Sequence, residues 1–154
     1  TIASAGVTRN VIPATATATA DFRVMRVSAY GQVERVVRAR IRDQLISGTV
    51  VDVSFERRRP PLEVTEASRT LAAHAQSIYQ EIGRRLEVSD QAAGGGTDAA
   101  FAALETDAPV IEGFGLVGYG AHSDSRESVD LRSIVPRLYL LTRMVMDIGK
   151  QSYD

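Results

Sequence analysis

The sequence predicts an α/β fold. Two-residue alternation and fourth-residue apolar periodicity take turns along the chain, and proline and glycine separate the segments that carry them. Hydrophobic residues make up 44% of the 154 and charged residues 24%, as in a soluble globular protein with one compact core or two small lobes.

The elements follow in order. Residues 14–24, "ATATATADFRV", alternate without a break, with Ala16, Ala18, Phe22 and Val24 on one parity and Thr17, Asp21 and Arg23 on the other. This predicts a strand with a small-residue buried face and Arg23 on its polar face. From 30 to 47, Val33, Val37, Ile41 and Leu45 recur every fourth residue, with Glu34 four before Arg38 on the wet side, so an amphipathic helix is expected to stop at Gly48. Residues 49–56 alternate again until Pro60 and Pro61 mark a connection. A small sheet with a helix on one face satisfies this first part.

Past the prolines, Leu71, Ala75, Ile78 and Ile82 predict a helix over 66–85, and "LEVSD" reads as a short buried strand. In "QAAGGGTDAAFAAL" the glycines exclude a helix until Thr97 or Asp98 caps one running to Leu104. "PVIEGFG" supplies another apolar strand, and Ile134, Leu138, Leu141, Val145 and Ile148 predict a closing helix stopped by Gly149. Helix and strand alternating in this way predict a parallel sheet covered by helices. Two buried strands are too few for one, so their open edges require neighbours from another chain or from further protein.

Several functions are excluded or disfavoured. No cysteine is present, which removes disulfides, thiolate zinc sites and cysteine nucleophiles. No apolar run approaches the roughly 18 residues of a membrane span, and no secretory signal is legible in "TIASAGVTRNVIP". All but one of the 18 basic residues are arginine, yet the net charge is -1, against a nucleic-acid footprint. The compartment is not legible.

Two stretches carry candidate chemistry. His122 follows the glycine-rich "GFGLVGYGA" and precedes Ser123 and Asp124, so it reads as a metal or catalytic histidine or as an ordinary loop residue. His74 reads as structural, because no carboxylate stands three or four residues after it. "GGGTDAA" lacks the Lys-Ser or Lys-Thr of a phosphate loop and favours close backbone approach to some ligand. "RRRPP" is either a solvated turn or a carboxylate clamp, since guanidinium forks bind carboxylates in bidentate fashion. No GxSxG elbow is present.

"NVIPATATATADFRVMR", "RRRPPLE", "GGGTDAAFAAL", "PVIEGFGLVGYGAHSDSRESVDL" and "RLYLLTRMVMDIG" occur in an order and spacing that resemble the dizinc aminoacylase/carboxypeptidase family, nearest its glutamate carboxypeptidase branch. The resemblance implies part of a ferredoxin-like lid, which mediates homodimerisation, over 1–60, and the C-terminal part of a zinc-peptidase catalytic α/β domain over 61–154. It implies a zinc-dependent hydrolase, with two zinc ions in the intact enzyme, cleaving an amide bond beside a free carboxylate in a small peptide or acyl-amino acid. Residue by residue, it implies His122 as a zinc ligand and Asn10 as a lid residue reaching substrate. It further implies Arg23 and Arg59 as carboxylate-binding arginines, and Gly95, Gly96 and Thr97 as an active-site loop. The family's other zinc ligands and its general-base glutamate precede the matched motifs, so this chain alone is expected to be inactive. The alternative is a non-catalytic, self-associating dimerisation module. Neither reading involves nucleic acid or a membrane.

Overall fold

A computed structural model describes residues 1–91 and 94–151. Ala92 and Ala93 of the glycine-rich stretch, and the last three residues of the expected 61–154 segment, lie outside the described residues. Contacts divide the chain into two compact units, Thr1–Glu56 and Arg57–Asp154.

The first unit begins with a hairpin in which β1 (Ile2–Ala5) pairs antiparallel with β2 (Ala16–Thr19), Ile2 opposite Thr19 and Ala5 opposite Ala16. The alternating threonines and alanines do form a strand, but a four-residue one, and it is exposed on both faces. The expected buried alanine face is therefore corrected: a two-stranded ribbon has no third layer to cover either side. Helix α1 (Ala29–Arg40) carries the predicted pair, with Arg38 Nε and Nη2 donating to Glu34 Oε1 at 3.1 and 3.0 Å. It ends before the expected Ser47 in i→i+3 turns at Arg42 and Asp43. Leu45 continues the apolar stripe in sequence, yet is 101% exposed, so nothing packs on it to extend the helix. Residues 49–56 form no strand among the described residues. They are held instead by side chains: Phe22 meets Tyr30 and Phe55 edge-on at 6.0 and 6.3 Å, and the Arg38 guanidinium lies 5.3 Å from the Phe55 ring centre.

The second unit is built on two helices. Helix α2 (Glu66–Glu81) starts at a reciprocal capping box: Ser68 N donates to Thr65 Oγ at 3.0 Å and Thr65 N to Ser68 Oγ at 2.9 Å. It ends at Gly83, whose φ of +68° suits a left-handed C-terminal turn. The short α3 (Ala99–Leu104) follows, then the hairpin of β3 (Gly118–Tyr119) and β4 (Ser128–Val129), then α4 (Ile134–Gln151). Helix α4 runs through Gly149 rather than stopping there, and it tolerates Pro136 because that residue sits in its first turn.

Ala75, Ile78 and Tyr79 of α2, Leu86, and Leu140 and Met144 of α4 form the core, with Leu71, Ile111, Phe114 and Tyr139 packed around it. Polar groups rivet the same two helices. Glu81 accepts from Tyr139 Oη at 2.6 Å and from Arg143 Nη1 at 2.9 Å, while His74 Nε2 lies 3.2 Å from Asp147 Oδ2. The bond to Glu81 holds the Tyr139 phenol above its ordinary pKa.

Three further expectations are corrected. "LEVSD" and "PVIEGFG" are not strands, and the described residues contain only two-stranded antiparallel sheets. Without neighbouring strands their backbone groups turn to side chains, as where Gln76 Nε2 donates to the Leu86 carbonyl at 3.1 Å. The stripe predicted for α4 is displaced as well. Leu140 is fully buried, whereas Leu138 is 62% exposed and Leu141, Val145 and Ile148 also face outward. A helix apolar on both sides is the pattern of an element covered on both sides, and here only one side is covered.

The accessible surface tells the same story. At 12852 Å² it exceeds the roughly 9,000 Å² expected of two separate compact bodies of these sizes, even if they shared no interface.

Candidate functional site

In the second unit, Arg59 and the glycine loop come together. Gly95 and Gly96 precede Thr97, whose Oγ accepts from Ala99 N at 3.2 Å and whose carbonyl accepts from Ala100 N at 3.3 Å, so Thr97 provides the cap of α3. Asp98 makes no side-chain cap and is available to Arg59, whose Nη1 donates to Asp98 Oδ1 at 2.9 Å. Gly96 forms the shelf beneath this pair, since a Cβ there would stand 2.7 Å from Arg59 Cδ. Gly95 faces open space. The glycine requirement read from the sequence as close approach to a ligand is met at Gly96 by a side chain of the chain itself.

His122 stands on the loop between β3 and β4, exposed, with a left-handed φ of 65°. Such a φ is uncommon outside glycine, though histidine is among the residues that adopt it. The turn is closed by Ser123 N donating to the Gly120 carbonyl at 2.9 Å. A clasp fixes the base of the hairpin. Asp130 N donates to the Val117 carbonyl at 2.8 Å, Val117 N donates to Ser133 Oγ at 3.0 Å, and the buried Ser133 hydroxyl donates to the Asp130 carbonyl at 2.5 Å. Arg132 donates from Nε and Nη2 to the Asp130 carboxylate at 2.9 and 3.0 Å. These side-chain bonds first, and the Arg132 backbone N–H second, hold the Asp130 carboxyl below the usual carboxylate range. Asp130 and Ser133 were not singled out as site residues by their sequence, although a cap signal, Asp followed three residues later by Ser, was there to be found.

Asn10 and Arg23 belong to the first unit. Asn10 sits exposed in the turn joining β1 to β2, and Arg23 Nη2 donates to Asp21 Oδ2 at 3.2 Å across two residues. Asp21 and Arg23 share a parity, as the alternation predicts, but both lie beyond the end of β2.

His122 offers one imidazole. Among the described residues no three His, Asp or Glu side chains are grouped so as to hold a metal ion. A catalytic zinc needs three protein ligands, so the residues present do not by themselves make its site. No helix among the described residues is long and apolar enough to cross a membrane.

Residues 5–147 match the family described as Peptidase family M20/M25/M40. The chain belongs to this family. It is similar to "Carboxypeptidase G2" of Pseudomonas sp. (strain RS-16), with 41% identity over 149 residues, which cover 97% of this chain and 35% of that protein. The chain thus spans about a third of the length of this relative. The resemblance to the glutamate carboxypeptidase-like branch rests on this identity across nearly all of the chain.

Proposed function

We propose that this chain is a C-terminal portion of a zinc-dependent M20 peptidase or amidohydrolase that cleaves an amide bond next to a free carboxylate. The observation that carries the reading is the match over residues 5–147, together with similarity to a carboxypeptidase. In this reading residues 1–60 are part of a lid that mediates homodimerisation, and residues 61–154 are part of the catalytic domain. His122 supplies one ligand to a zinc site whose other ligands, like the general base, come from further protein. Bound zinc would polarise the scissile carbonyl and activate water. Arg23 and Arg59 bind the substrate carboxylate, a role suited to a planar guanidinium fork. Asn10 reaches substrate from the lid, and Gly95, Gly96 and Thr97 line the pocket. The excess surface and the uncovered side of α4 support a chain that packs against more protein.

Alone, the chain is expected to be inactive. An assay of the purified chain with zinc and an N-acylglutamate should give no turnover above buffer. Turnover that disappears in His122→Ala would overturn the reading.

The exposed β1–β2 hairpin, two-stranded among the described residues, favours a second reading, a self-associating module without catalysis. Sedimentation separates the two in part. Both predict association, but only a self-sufficient module gives one discrete oligomer, whereas a portion with open edges gives a range of sizes.

A further inference from the structure

The Arg59 contact suggests how the proposed carboxylate clamp is kept selective. We infer that Asp98 is an internal counter-ion for Arg59, occupying its guanidinium until a ligand carboxylate displaces it. The inference rests on the reading of Arg59 as a carboxylate binder and adds a residue to it. Three observations support it. Arg59 Nη1 donates to Asp98 Oδ1 at 2.9 Å, although 39 residues separate the two, so the pairing is a product of the fold and not of local sequence. Gly96 lets the Arg59 stem lie against the loop, because a side chain there would stand 2.7 Å from Arg59 Cδ. Thr97 takes over the capping of α3, which leaves the Asp98 carboxylate available for Arg59.

The pair is also weak enough to exchange. The Arg59 and Asp98 side chains are 55% and 90% exposed, and an ion pair in that setting contributes little. A ligand carboxylate that engages the guanidinium in bidentate fashion replaces one charged acceptor by another, and charge is conserved at Arg59. A neutral carboxamide would have to displace a charge with a dipole. Asp98 therefore raises the threshold for every ligand and leaves carboxylates as the ones that cross it. It is a positioning residue, acting through Arg59.

The test is a titration of the chain with glutarate, followed by nuclear magnetic resonance at the Arg59 Nε–H signal, for the parent, Asp98→Asn and Arg59→Gln. Asp98→Asn should shift the Arg59 signal before any ligand is added and tighten glutarate binding by about two- to fivefold, the range of an exposed ion pair. Arg59→Gln should abolish the binding. Equal or weaker binding by Asp98→Asn, with Arg59→Gln still defective, overturns the counter-ion role alone. Binding unchanged in Arg59→Gln, or absent from all three proteins, overturns the clamp reading and the inference with it. Thermal unfolding of each variant identifies one that has failed to fold, and Asp98→Ser then replaces Asp98→Asn.

Discussion

Leu140→Ala is expected to destabilise the chain by about 2–5 kcal/mol, the range for truncating a fully buried leucine. Leu140 is 0% exposed and packs with Ile78, also 0% exposed, at the centre of a small core. So few residues share the burial that the loss is a large fraction of the roughly 5–15 kcal/mol available to an ordinary domain. The unfolding midpoint should fall by roughly 8 °C or more. Leu138→Ala, two residues earlier and 62% exposed, should leave it nearly unchanged. The pair of variants tests the placement of α4. A larger effect at Leu138 than at Leu140 would mean that the helix presents the face expected from its fourth-residue repeat, and the described core would be wrong.

The second large effect is expected at Gly120. Its φ of +69° costs an L-residue about 1–2 kcal/mol, and a Cβ there would run into the carbonyl of Arg126, which is backbone and has no rotamer in which to retreat. Gly120→Ala should therefore open the turn that presents His122 and release the β3–β4 pairing. Hydrogen exchange reads this directly. Protection should fall at the Asp130 amide, which donates to Val117, and persist in α4. Gly115→Ala is the control, because nothing lies within 4 Å of a Cβ there. Unchanged protection at Asp130 in Gly120→Ala would show that the hairpin does not depend on this glycine.

The helices were legible because their signals are local. Thr65 and Ser68 complete a cap within four residues, Glu34 reaches Arg38 one turn away, and the stripe from Leu71 to Ile78 faces a partner inside the same unit. The strands expected at 49–56, 86–90 and 109–115 do not form, because alternation gives a segment's preference and cannot supply the neighbour that completes its hydrogen bonds. Helix α4 misled for a related reason. It is apolar on two sides, and periodicity selected Leu138 and Leu141 while the contact with α2 selected Leu140 and Met144. At the candidate site, His122 and the glycine loop stood out by composition and motif order. The Arg59 to Asp98 pair did not, since it joins residues that only folding brings together.

The central claim is that this M20-family chain contributes His122 as one ligand of a zinc site completed elsewhere. Zinc titration calorimetry on the purified chain, beside His122→Ala, tests it most directly. The account predicts no tight stoichiometric binding by either protein. One tight site in the parent that vanishes in His122→Ala would contradict it, because the chain, alone or as an oligomer, would then complete a zinc site of its own.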